Sequence, residues 1–88
     1  MNSMPATVYI LRNEMTGRHY VGSTTDLARR LRDHQRGNTP STRQPGPWVL
    51  VYREDYSDLS SARKREKEIK AYKGGNQFRA LLEQSCSR

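Results

Sequence analysis

One glutamate in this chain occupies a place where an apolar residue is expected. A helix read from Leu59 to about Lys73 turns Leu59, Ala62 and Ile69 to one side, and Glu66 falls within that stripe, while Glu68 lies opposite. A carboxylate among apolar neighbours is costly unless it is paired or binds a cation. Two arrangements satisfy it: an ion pair with an arginine such as Arg30, or a hard divalent cation, which takes oxygen ligands. A second pair of interest is Arg30 and His34, one turn apart on another predicted helix and flanking the face marked by Leu27 and Leu31. Arg29, Arg32 and Asp33 point elsewhere. Arg30 and His34 are either a snorkelling arginine beside an ordinary boundary histidine or the wall of a cleft. Tyr9 and Tyr20 complete the set. Strand tyrosines usually pack in the core, but two phenols on neighbouring strands can also face a site.

The elements that must hold these groups follow from local pattern. Thr7 to Arg12 reads as a strand, Asn13 to Gly17 as a turn and Arg18 to Gly22 as a second strand, together a hairpin. Pairing Arg12 with Gly17 sets Tyr9 opposite Tyr20, a register that a slip would change. Ser23 to Asp26 is dense in residues that cap helices, so a helix is expected to about Arg36, with Gly37 as its stop. The segment from Asn38 to Pro47, which holds Pro40, Pro45 and Pro47, reads as an exposed loop. Trp48 to Arg53 is a third strand, Ser57 and Asp58 cap the Glu66 helix, and Gly74 and Gly75 end it. Asn76 then opens a short helix with Phe78, Leu81 and Leu82 on its apolar face. The order β-β-α-β-α-α describes one α+β domain: a three-stranded antiparallel sheet flanked by helices.

Composition bounds the partners. With 88 residues, a single small domain is expected. Only 33% of residues are hydrophobic, and the mean hydropathy is −1.02; both values lean toward disorder, but five Tyr, one Trp and the periodic apolar residues argue for a folded core. Lys and Arg number 16 against 9 Asp and Glu, a net charge of +7, which favours nucleic acid over membranes or acidic proteins. The alternative is a basic surface without a partner. Cys86 is the one cysteine, so neither an internal disulfide nor a Cys/His zinc cluster is expected. No stretch has signal-peptide or membrane-spanning character, and a soluble cytoplasmic protein is expected.

Thr7-Val8-Tyr9 followed by Tyr20-Val21-Gly22 resembles the paired GIY and YIG motifs of the GIY-YIG nucleases. The distance between the tyrosines fits, as do Arg30 with His34 one turn later and the Ala62-x-x-x-Glu66 pattern. The run TGRHYVGSTTDLARRLRDH is similar to the small stand-alone bacterial members, and the resemblance covers about residues 6 to 83. Each motif is weak singly; their joint order and spacing is specific. Two departures stand out. Thr7 replaces the first glycine, and the C-terminal asparagine that orders the site in many members has no clear match, Asn76 being the candidate.

The resemblance implies a role for each residue. Tyr9 would activate the attacking water as general base or through a proton relay, Tyr20 would position water and phosphate, and Arg30 would contact the scissile phosphate. His34 would lie near that phosphate or Tyr9, and Glu66 would hold a single Mg²⁺ or Mn²⁺ ion. A free tyrosine has a pKa of about 10, so Tyr9 needs assistance from a cation, metal-bound water or His34. Arg29, Arg63, Arg65 and Lys70 are candidates for binding the nucleic-acid backbone. The expected activity is metal-dependent hydrolysis of phosphodiester bonds in DNA, with DNA repair as a setting. No recognition domain is evident, so sequence specificity is expected to be low or supplied by a protein partner. The competing readings are a nucleic-acid-binding protein that keeps the fold without useful activity, and a basic accessory protein recruited by a partner.

Overall fold

The computed structural model describes residues 4–35, 47–72 and 75–86. In chain order the elements are β1 (Ala6–Asn13), β2 (His19–Thr24), α1 (Leu27–Gln35), β3 (Trp48–Tyr56), α2 (Leu59–Ala71) and α3 (Asn76–Cys86). The strands form one antiparallel sheet in the order β2-β1-β3, so β1 is central and β2 is an edge. The expected α+β architecture is present, with β3 running three residues past the predicted Arg53.

β1 is buried on both sides because its alternation is apolar on both faces. Val8 and Ile10 join Ala62 and Ile69 of α2 and Phe78 and Leu81 of α3 in one layer. Tyr9 and Leu11 join Trp48 on the other face, where Leu27 and Leu31 of α1 pack against them. Fully burying a side chain such as Val8, Ile10 or Ile69 contributes about 1.5–3 kcal/mol.

The hairpin register differs from the predicted one by two residues. Arg12 pairs with His19, Tyr9 with Gly22 and Tyr20 with Leu11. The turn is longer because buried Asn13 organises it: its Oδ1 accepts from the Met15 and Thr16 amides, and its own amide donates to Arg18. Gly17 closes the turn at φ 76°, a left-handed conformation suited to glycine. A shift of two keeps every side chain on its face, so Tyr9 and Tyr20 still share one, as diagonal neighbours.

Asp26 caps α1, its carboxylate accepting from the Arg29 amide and its carbonyl from the Arg30 amide. The predicted stop at Arg36 and Gly37 and the loop from 38 to 46 lie outside the described residues. The predicted stripe on α1 needs correction: His34 is its most buried residue at 1% exposure, whereas Leu27 and Leu31 are only half-buried. Leu27, Leu31 and His34 are spaced by four and then three residues, so His34 extends the stripe instead of flanking it.

Asp58 caps α2 as predicted, accepting from the Ser61 amide at 2.7 Å. α2 is fastened to β3 by a polar cluster. Arg65 donates to both oxygens of Glu54 at 3.0 and 3.2 Å and also to Glu68 and Tyr72. The Tyr52 and Tyr56 hydroxyls donate to the same Glu54 carboxylate. Burial pushes the Glu54 carboxyl up, but these hydrogen bonds outweigh it and hold its pKa below the usual value. The phenols respond oppositely, burial and the Glu54 charge raising both to about 12.

The depressed Glu54 pKa stabilises the fold fully above the unfolded carboxyl pKa, and that stabilisation is lost as pH falls through the lower folded value. Glu54→Gln is therefore expected to destabilise the domain by about 1–3 kcal/mol near neutral pH. It should also flatten the acid side of a urea-midpoint series. An unchanged acid slope would show that other carboxylates govern the acid response.

Candidate active site

The site is built around the Tyr9 ring. Tyr9 is 1% exposed and stands directly across from Gly22 on the edge strand. A Cβ added to Gly22 would lie 2.7 Å from the Tyr9 hydroxyl and 2.8 Å from its Cζ. The glycine therefore leaves the space that lets the phenol cross over β2 toward the sheet edge. The hydroxyl meets His34 Nε2 at 2.9 Å. Tyr20 packs against both, its ring centroid 6.2 Å from Tyr9 and 4.7 Å from His34.

Electrostatics set the protonation of this pair. Burial, followed by the neighbouring Tyr20, raises the Tyr9 pKa well above that of a free tyrosine; Arg30 opposes the shift and Glu66 adds to it. Burial and then the Arg30 charge lower the His34 pKa, outweighing Asp33. Near neutral pH the pair is a phenol against a neutral imidazole. One ring nitrogen of a neutral imidazole is an acceptor, and with Nε2 in that state it can take the phenolic proton.

Glu66 comes from the other side of the sheet. Gly22 and Ser23 are consecutive on β2 and so face opposite layers. Ser23 Oγ donates to Glu66 Oε1 at 2.5 Å, and Lys70 Nζ lies 2.6 Å from Oε2. Of the two arrangements open from sequence, the structure shows an ion pair, but with Lys70 one turn along α2, not with Arg30. The Glu66 side chain is 19% exposed and lines a cavity of about 350 Å³ with Arg63, Lys67 and Lys70. A cavity of about 250 Å³ on the α1 side is lined by Thr24, Thr25, Asp26, Arg29, Arg30 and Asp33. The site thus straddles the β2 edge, with Tyr9, His34 and Arg30 on one side and Glu66 on the other. Arg30 and Glu66 both act electrostatically on the Tyr9 phenol.

The remaining candidates divide. Arg63, Lys70 and Arg29 line the two cavities. Arg65 is turned to the opposite flank of α2 and engaged by Glu54 and Glu68. Asn76 is exposed at the first residue of α3, a helix that packs on β3 and also reaches β2, where the Phe78 ring meets that of His19 edge-on at 5.1 Å. Thr7, which replaces the expected glycine, donates to Asp55 at 2.9 Å, and Asp55 also holds Arg53. Sequence reasoning overlooked Ser23 and Lys67. Strand alternation could have put Ser23 opposite Gly22, but only the packing of α2 on β2 brings it to Glu66.

Glu66 is suited to a hard cation of the Mg²⁺ type, which commonly takes one or two protein carboxylates and completes its shell with water and phosphate oxygens. Among the described residues no group of three or more His, Cys, Asp or Glu is assembled, so a closed cage is not what these residues offer. One oriented, half-buried carboxylate beside an open cavity matches the first kind of site.

Fold and site together define a small α+β domain of the nuclease-type hydrolases. Residues 5–78 match the GIY-YIG catalytic domain, and the chain belongs to that family. It is 38% identical over 78 residues to a UPF0213 protein of Pectobacterium carotovorum, covering 88% of this chain and 78% of the relative. A UPF0213 protein of Sodalis glossinidius is 37% identical over 81 residues, covering 89% and 75%. The solution NMR structure of a UPF0213 protein from Bacillus halodurans superposes with a TM-score of 0.54 at 32% identity, covering 92% of this chain and 84% of that one.

If Gly22 serves as the space for Tyr9, Gly22→Ala should retain the fold, costing about 1–3 kcal/mol through overpacking. It should displace the phenol and lower cleavage by roughly 10²-fold, the scale of a 1 Å misplacement. The His34 ring resonances in NMR report the broken contact. Unaltered resonances with full activity would show that the ring does not need this space.

Proposed function

We propose that this protein is an endonuclease that hydrolyses phosphodiester bonds in DNA with the help of one Mg²⁺ or Mn²⁺ ion and with little intrinsic sequence preference. The observation that carries the reading is the Tyr9–His34 hydrogen bond, made over Gly22 with Arg30 and Glu66 both acting on the phenol. A buried phenol with a raised pKa stays protonated near neutral pH and cannot accept a proton unaided. In a concerted relay the phenolic proton moves to neutral His34 Nε2 as the Tyr9 oxygen takes a proton from the water attacking phosphorus, so no free phenolate forms. Arg30 would make charge-assisted hydrogen bonds to the non-bridging oxygens, stabilising the charge that develops on them. Glu66, oriented by Ser23, would hold the divalent cation, which when bound supplies Lewis-acid stabilisation of the leaving oxygen. Tyr20 packs against both rings and would keep them aligned.

The charges beside the site suit phosphates, which position a nucleic acid without reporting its sequence; this supports low specificity, with any selectivity coming from DNA shape or a protein partner. Among the described residues no helix is long and apolar enough to cross a membrane.

The test is single-turnover cleavage of duplex, branched and damaged DNA and of RNA, with Mg²⁺ and with Mn²⁺. Arg30→Ala should lose about 10²–10³-fold, whereas Arg29→Ala should weaken binding slightly, an effect masked by added salt. Glu66→Gln should abolish metal-dependent cleavage with the fold intact by circular dichroism. A folded wild-type chain that binds these substrates and cuts none would support the binding-protein reading instead.

The pH profile checks the relay. Because the His34 pKa lies below that of an ordinary imidazole, the acid limb of the rate should fall at lower pH than a free histidine would give, as the imidazole gains a proton and can no longer accept one. In His34→Ala that limb should disappear along with most of the activity. A limb that persists in His34→Ala would assign it to another group.

A further inference from the structure

We propose that Lys70 is a substrate-phosphate ligand held on Glu66, and that occupation of this carboxylate by a divalent cation releases it to the nucleic-acid backbone. The inference rests on the reading of Glu66 as the metal ligand and extends it to how metal and substrate cooperate. Both Glu66 oxygens are engaged, Oε1 by Ser23 and Oε2 by the Lys70 ammonium at 2.6 Å. The two partners differ in kind. Ser23 is fixed on a strand and neutral, whereas Lys70 is a flexible cation with 54% of its side chain exposed. A cation approaching Oε2 meets the ammonium, and like charges that close are both unfavourable in a half-buried setting.

The surroundings decide where the displaced ammonium goes. At about 100° per residue, Arg63, Lys67 and Lys70 lie on one flank of α2, next to Glu66, while Arg65 and Glu68 lie on the other. The cavity beside Glu66 is lined by those three cations and this single anion. The acidic partners on α2 and β3, Glu68 and Glu54, are committed to Arg65 on the far flank. Once Glu66 is taken, no carboxylate among the described lining residues is left for Lys70, and a phosphate oxygen is the anion that restores balance. Metal therefore makes phosphate binding more favourable, and by linkage phosphate does the same for metal. In the absence of both, the Lys70–Glu66 pair satisfies the carboxylate on the apolar stripe and keeps the fold from bearing an uncompensated charge.

The experiment measures binding, not cleavage. In a Tyr9→Phe background, which removes the proton relay, the affinity for a short DNA duplex is measured with and without Mg²⁺. The Glu66→Gln form of the same background supplies the effect of Mg²⁺ as bulk salt. Relative to that baseline, Mg²⁺ should tighten DNA binding by about fivefold or more when Lys70 is present, and this gain should largely vanish in Lys70→Gln. Calorimetry without DNA should show Lys70→Gln binding Mg²⁺ more tightly than its parent, since no ammonium has to be displaced. Lys67→Gln removes the same charge from the same cavity without touching the Glu66 pair, so it should weaken DNA binding and keep the coupling. Equal coupling with and without Lys70, or its equal loss in Lys67→Gln, would overturn the proposal while leaving Glu66 as metal ligand intact. A parent protein that takes up no Mg²⁺ in calorimetry would overturn both.

Discussion

The Tyr9 hydroxyl meets His34 Nε2 inside a layer that is otherwise aromatic and aliphatic, and most of the site's geometry follows from that contact. Each group is almost wholly withdrawn from water, so each needs the other. The tyrosine reaches His34 from the central strand, which among the described strands is the one buried along nearly its whole length. The histidine must lie on the core-facing stripe of α1. Glycine at position 22 leaves the phenol its place, because a Cβ there would press within 2.7 Å of the hydroxyl. The contact ties α1 to the central strand across a glycine of the edge strand.

The candidate site gathers side chains from the central strand and two helices beside the β2 edge, where burial and access meet. The centre of the sheet can hold a phenol and an imidazole in fixed orientation but cannot admit a polyanion. The edge is reachable from both layers, and successive residues of β2 serve different sides: Gly22 accommodates the α1 side, and Ser23 orients Glu66 on the α2 side. The Tyr9–His34 pair and the Glu66 carboxylate thus sit on opposite faces of the sheet, yet the Glu66 charge still reaches the phenol. Arg30 lies between these demands. Its charge opposes the rise in the Tyr9 pKa and assists the fall in that of His34.

α2 carries two opposite electrostatic tasks on its two flanks. Arg65 on one flank is tied to Glu54, with Tyr52 and Tyr56 completing the carboxylate's shell, and this cluster fastens the helix to β3. Arg63, Lys67 and Lys70 on the other flank line a cavity whose single carboxylate is Glu66. A run that reads in sequence as one basic stretch is in space a structural clasp on one side and an anion-attracting surface on the other.

By itself the sequence determined the element order, the antiparallel α+β class and the identity of the chemically capable residues, because these depend on short-range periodicity and on residue types at characteristic spacings. The motif tyrosines, Arg30, His34 and Glu66 stand out for that reason, and a register error of two left the facing of the tyrosines unharmed because strand alternation has a period of two. The tertiary structure decided what each group touches. Helix periodicity separates Arg63 from Arg65, but not which of the two flanks meets Glu54 on β3. The i,i+4 spacing of Glu66 and Lys70 allows their pair, but nothing local indicates that Ser23 is the other partner and Arg30 is not, or that His34 lies deeper than the leucines of its own helix. Those outcomes depend on how α1 and α2 lie across the sheet, and that is set by packing between residues far apart in the chain, where no pattern within one element reaches.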